Sequence, residues 1–265
     1  LSLQELGQLD DAVKSFQRVL QLKPEFATMH NNLAVILKEL GRFNIAVEHL
    51  EKALSIKSDF AEAHNNLGNV LKELDQYDAA VNSYEKAIAI KPDFAEAHFN
   101  LAGVLIDIRR IGEAVKSYKS ALSFDSNNNF FWDIFSKNLR DIEFLEFSDT
   151  TASCLLEALT KPTVKANNLI KPITSILRHN PTFHRVLEVS KSSNVDEKLN
   201  YLTEQLSTIP LLLRLMELCP ITDPEVEKLL IQIRLSTLSQ LSNDDITSSS
   251  LPFYEALALH CFTNE

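Results

Sequence analysis

Aligned on itself, the sequence superimposes at one offset, thirty-four residues, where several unrelated residue types fall into register together. Phe26, Phe60 and Phe94 share a column, as do Asn32, Asn66 and Asn100, and Ala53, Ala87 and Ala121. So do the pairs Ala12-Val13, Ala46-Val47, Ala80-Val81 and Ala114-Val115. Coincidence does not align that many columns, and a unit of this length cannot close a core of its own. The repeat therefore restricts this part of the chain to an array whose units bury their faces on one another.

Within a unit the apolar residues recur at helical spacing, as in Leu67, Val70, Leu71 and Leu74, then in Ala80, Val81, Tyr84, Ala87 and Ile88. Two helices per unit follow. Leu40-Gly41-Arg42, Asp75-Gln76 and Arg109-Arg110 break the two apart. Lys23-Pro24, Lys57-Ser58, Lys91-Pro92 and Asp125-Ser126 end the second helix, and proline cannot continue one. Ala34, Gly68 and Ala102 lie mid-helix and are expected to face Ala46, Ala80 and Ala114, removing bulk where the axes cross.

This pattern resembles the tetratricopeptide repeat, a helix-turn-helix unit with small-residue columns. The resemblance covers residues 1–126, with whole units starting near Ala27, Ala61 and Ala95 and a partial unit before them. It implies an all-α fold, a right-handed superhelix stable only as an array. The chain opens at a register inside a first helix and without an initiator Met, so a fragment of a longer protein is expected. One departure is that His30, His64 and His98 stand where the family places an aromatic. A metal reading of that column fails on distance. Helices about 10 Å apart cannot share an ion whose ligand bonds are about 2 Å. Packing between helices is the expected role.

In such an array the first helices line the concave wall, so Asn32, Asn66 and Asn100 become rungs about 10 Å apart. A carboxamide carries a donor and an acceptor, which match the N–H and C=O of an extended backbone. The alternative is that each Asn caps or braces a neighbouring helix. The wording AHNNLG is similar to the asparagine-lined superhelix of O-GlcNAc transferases, and that resemblance implies peptide binding by Asn32, Asn66 and Asn100, with Asn65, Asn69, Lys38 and Lys72 on the same groove. Family members that grip acidic chaperone tails use Lys or Arg early in the first helix. Glu62 and Glu96 stand there in this chain, so an uncharged or mildly basic segment is the better fit.

After Asp125 the spacing decays. Residues 127–147, with Trp132 at the family's aromatic position, read as a capping helix. From 148 to 265 helical patterning continues between prolines, giving a second all-helical domain. In ITDPEVEKLL, Asp223 is placed to cap a helix that Pro224 opens. SNDDITSSS reads as a polar loop before a last helix, PFYEALALHCFTNE. Residues 150–265 resemble the connector of bacterial tetratricopeptide-repeat methyltransferases. That resemblance implies a catalytic domain beyond Glu265 and makes the substrate-recognition half of a transferase, a methyltransferase before a glycosyltransferase, the alternative function.

No catalytic constellation is legible. The last glycine is Gly112, so the second half has no loop of the kind that cradles a phosphate, dinucleotide or S-adenosylmethionine. His179 and His184 bracket a proline that breaks the face two metal ligands would share. No cofactor, metal or catalytic residue is expected. A net charge of -10, with neither half basic, argues against nucleic acid, and no apolar run is long enough to span a bilayer. Cys154, Cys219 and Cys261 are too few for a disulfide framework and read as thiols of a reducing, cytoplasmic compartment. The expected partner is a protein or peptide segment, and the sequence leaves the oligomeric state open.

Overall fold

A computed structural model describes residues 3–192, 195–240 and 249–262. These divide between two compact units, Leu1–Asn127 and Asn128–Glu265, and every regular element among the described residues is helical. The first unit holds α1 (Leu3–Leu22), α2 (Ala27–Glu39), α3 (Phe43–Ile56), α4 (Ala61–Glu73), α5 (Tyr77–Ile90), α6 (Ala95–Asp107) and α7 (Ile111–Phe124). The pairs α2/α3, α4/α5 and α6/α7 begin at Ala27, Ala61 and Ala95, thirty-four residues apart. α1 runs unbroken through Gly7, whose column holds the inter-helix turn in the later units.

Those turns share one geometry. Gly41, Asp75 and Arg109 all have positive φ, at 71°, 57° and 63°. The next amide in each case reaches back to the carbonyl five residues earlier: Arg42 to Leu37 at 2.8 Å, Gln76 to Leu71 at 2.9 Å and Arg110 to Leu105 at 2.8 Å. This is a Schellman closure, which satisfies carbonyls the helix end leaves open and needs a left-handed residue. Gly41 adopts that conformation freely, whereas Asp75 and Arg109 adopt it against their Cβ atoms.

The Phe column stands at the N-cap of each first helix, without a side-chain cap. Packing takes the place of polar capping: Lys57 Nζ lies 5.1 Å over the Phe60 ring and Lys91 Nζ 4.9 Å over Phe94. The His column, one turn on, ties the preceding loop to the helix. His30, His64 and His98 each place Nε2 against the carbonyl six residues earlier, on Pro24, Ser58 and Pro92, at 3.0, 3.2 and 2.9 Å. The column is thus a staple between helix and loop, and His30 and His98 also pack across to the second helix of their repeat, on His49 and Phe124, which is the expected packing between helices.

Ala46, Ala80 and Ala114, and Ala53, Ala87 and Ala121, are fully buried along the second helices. One expected contact differs. A Cβ on Gly68 would meet Tyr84 first, at 2.6 Å, rather than Ala80. The bulk removed at this crossing makes room for a ring one turn along α5.

The second unit holds α8 (Asn129–Leu139), α9 (Asp149–Ala158), α10 (Ile170–Arg178), α11 (Pro181–Ser192), α12 (Val195–Ser207), α13 (Pro210–Leu218), α14 (Pro224–Gln240) and α15 (Leu251–Phe262). Asn128, Ser148 and Asn180 accept amide hydrogens at the starts of α8, α9 and α11. Asp223 does the same for Glu225 and Val226 at 3.1 and 3.2 Å, with Pro224 opening α14 as expected. Its carboxylate also holds Arg178 of α10. Phe183, Leu202, Leu212, Leu215, Ile233 and Phe253 are fully buried in the core. Trp132 is fully buried too, with Lys161 Nζ 4.9 Å over its ring. Cys154 and Cys219 are buried. The Cys261 side chain, and residues 242–248 of the expected polar loop, lie outside the described residues.

Candidate binding groove

The first helices of successive repeats touch one another, α2 against α4 and α4 against α6, so they form the inner wall of the array. Asn32 is exposed on that wall, and Asn66 and Asn100 are half-buried. They do not stand alone. Asn66 Nδ2 donates to Asn31 Oδ1 at 2.9 Å, and Asn100 Nδ2 donates to Asn65 Oδ1 at 3.1 Å. Each rung therefore leans on the asparagine thirty-five residues earlier, in the repeat before it.

The supporting column passes the bond onward. Asn31, 7% exposed, donates to Asn32 Oδ1 at 3.3 Å; Asn65, 2% exposed, donates to Glu96 Oε1 at 3.2 Å. In the third repeat that column holds Phe99, which packs edge-on against Tyr118 at 5.1 Å, and the ladder stops. Among the described residues, the Oδ1 atoms of Asn66 and Asn100 accept no hydrogen bond. Two open acceptors therefore recur at one register, each carboxamide tied through its nitrogen to the preceding repeat.

Asn69 accepts the Tyr84 hydroxyl at 2.8 Å, which ties α4 to α5 beneath the wall. Burial first, and the charges of Glu73 and Glu96 second, push the Tyr84 phenol above its ordinary range. Lys72 is paired with Asp107 of the next repeat at 3.2 Å and its Nζ reaches over Gly103. Lys38 lies half-buried in the same register one repeat earlier.

Sequence reasoning names the outer asparagines and misses Asn31 as their support. The signal is present as the doublets Asn31-Asn32 and Asn65-Asn66, whose first members fall on the helix face turned toward the neighbouring repeat.

Other chemistry is sparse. The His30 and His49 Nδ1 atoms lie 2.9 Å apart, and burial with the neighbouring His30 lowers the His49 pKa. No group of three or more His, Cys, Asp or Glu able to hold a metal occurs among the described residues. In the second unit an open hollow is lined by Arg140, Asp141, Asn167, Lys171, Thr174 and Asp223, a mixed-charge set. Among the described residues no helix is long and apolar enough to cross a membrane.

The family profile described as TPR repeat matches residues 2–41, 36–75 and 68–107, and a second, described as tetratricopeptide repeat, matches residues 95–128. Among solved structures, the crystal structure of MamA is 21% identical over 61% of this chain and 95% of its own, with a TM-score of 0.50. A Thermobaculum terrenum O-GlcNAc transferase is 20% identical over 51% of this chain and 26% of its own, with a TM-score of 0.44. YrrB, described as a TPR protein with an unusual peptide-binding site, is 15% identical over 86% of this chain and 95% of its own, with a TM-score of 0.47. No curated protein sequence matches the chain. The profiles, the repeated helical pairs and the shared turn geometry agree: residues 2–128 are tetratricopeptide repeats, the fold of a protein-interaction scaffold.

Proposed function

We propose that the chain binds an extended peptide segment along the inner wall of its repeat array, with Asn32, Asn66 and Asn100 pairing with the ligand's backbone. One observation carries this reading. Asn66 and Asn100 are each fixed from behind by the preceding repeat, and each presents a carbonyl oxygen that no described group uses. Bracing and binding are then two duties of one side chain, because a pre-oriented carboxamide loses little freedom when a ligand arrives. Asn65 holds Asn100 and Glu96 in place, Asn69 holds Tyr84, and Lys38 and Lys72 flank the path. Backbone pairing supplies affinity with little dependence on ligand side chains, as in other modes that read main chain.

The test begins with peptides selected from a random library on the purified chain and measured by titration calorimetry. Asn32→Ala, at the exposed rung, should weaken a selected peptide by about tenfold, the loss of a hydrogen bond or two. Replacing a ligand backbone N–H by N-methyl at the contacting residues should do the same. Unchanged affinity in both experiments would remove the groove from the account.

A further inference from the structure

We propose that the segment this groove takes is a polyproline-II-like stretch with a basic side chain and a free backbone N–H at every third residue. The inference rests on the groove reading above and adds the ligand's conformation and chemistry.

Pitch is the first argument. The rungs repeat with the helix packing, at about 10 Å. A β-strand rises about 3.3 Å per residue and alternates faces, so residues three apart point to opposite sides and cannot both meet the wall. Polyproline II has three residues per turn and rises about 3.1 Å per residue, so every third residue returns to one face after about 9 Å. Its backbone makes no internal hydrogen bonds, which leaves an N–H free for each rung.

Polarity is the second. Asn66 and Asn100 each spend one Nδ2 hydrogen on Asn31 and Asn65, while their oxygens accept no hydrogen bond among the described residues. A backbone N–H on the ligand residue opposite satisfies each oxygen, so proline is excluded there while allowed at the two positions between.

Charge is the third. Glu96 is held at the wall by Asn65, and Glu62 occupies its register one repeat earlier, exposed. Lys72 of α4 is already paired with Asp107. Two carboxylates therefore recur at the rung pitch, and the chain as a whole carries -10. An extended segment with cations at that pitch complements them, and one with anions is repelled.

The probes are three fluorescein-labelled peptides of equal length, read by anisotropy at low salt: Lys-Pro-Ala triplets, Glu-Pro-Ala triplets, and a peptide of the first composition with its lysines at alternate residues. The Lys-Pro-Ala peptide should bind about tenfold more tightly than either of the others, and the combined Glu62→Gln and Glu96→Gln variant should narrow its lead over the Glu-Pro-Ala peptide to about twofold. The carboxamide introduced by Glu96→Gln keeps an oxygen that accepts from Asn65, so folding is spared. Equal binding of all three, or no binding of any, overturns the proposal. If a library-selected peptide still loses affinity on Asn32→Ala under those outcomes, the groove reading stands and only the ligand class is wrong. If that peptide is indifferent as well, both fall.

Discussion

Gly68 lies against the ring of Tyr84 so closely that a Cβ placed on it would sit 2.6 Å from a ring carbon. Tyr84 is fully buried and its hydroxyl is anchored on Asn69, so the ring retreats only by giving up that bond. Gly68→Ala should destabilise the array by roughly 1–3 kcal/mol, the usual cost of overpacking. The first repeat holds Ala34 and Leu50 at the same two positions, both buried. Adding Tyr84→Leu to Gly68→Ala should recover much of the loss, because it installs that pair. Urea unfolding of the two variants checks this, and a double variant no better than the single would refute the packing argument.

The asparagine ladder predicts unequal costs for removing its rungs. Asn100→Ala strips the donor from Asn65 Oδ1, which belongs to a residue 2% exposed and has little access to water. About 1–3 kcal/mol should be lost, the cost of leaving a buried acceptor open. Asn32→Ala removes an exposed carboxamide whose oxygen takes only a long 3.3 Å bond from Asn31, and should cost about 0.5 kcal/mol or less. A denaturation series across the two positions separates brace from rung.

Arg109 is exposed, and its φ of 63° is one that glycine holds without strain. Arg109→Gly should therefore stabilise the chain, by about 0.5–1 kcal/mol once glycine's larger unfolded freedom offsets part of the relief. Asp75 is a poorer target, since its carboxylate accepts the Tyr77 hydroxyl at 2.7 Å. A lower midpoint for Arg109→Gly would mean that the turn carries no strain.

These residues also mark how far the sequence is legible. The helical pairs are readable because spacing alone decides them: Leu67, Val70 and Leu71 can share a face only on a helix. The rungs are readable for the same reason, as a register that repeats. What spacing cannot supply is the direction of a side chain. Ala80 and Tyr84 lie one turn apart on α5, and nothing in the order of residues says which of the two fills the gap at Gly68. Asn31 reads as a neighbour of Asn32 until the adjoining repeat places Asn66 against it. The Schellman turns are half legible, through Gly41 alone, because Asp75 and Arg109 enter the left-handed region without the residue type that announces it.

A buried histidine makes the second unit acid-sensitive. Burial first, and the adjoining Arg234 guanidinium second, bring His260 down to about 4, while Ile221 donates its amide to Nε2 at 3.2 Å. The unfolded chain takes its proton near the ordinary value of about 6.5. Stability from this residue is therefore complete above about pH 6.5, declines as pH falls, and is gone below about 4. His49 and His64, also lowered by burial, act in the same direction. The loss at His260 is at most about 3 kcal/mol. His260→Gln, which keeps an acceptor for Ile221, should flatten the stability profile between those two values, as followed by thermal midpoint against pH.

The central claim is that the asparagine-bearing wall is where a peptide lies, and a nitrogen-15 NMR titration with a library-selected peptide reads that wall directly. The account predicts that the side-chain carboxamide signals of Asn32, Asn66 and Asn100 move together and saturate at one ligand concentration, along with backbone amides of α2, α4 and α6. Shifts confined to α3, α5 and α7, or to the second unit, with those three carboxamides unmoved, would contradict it.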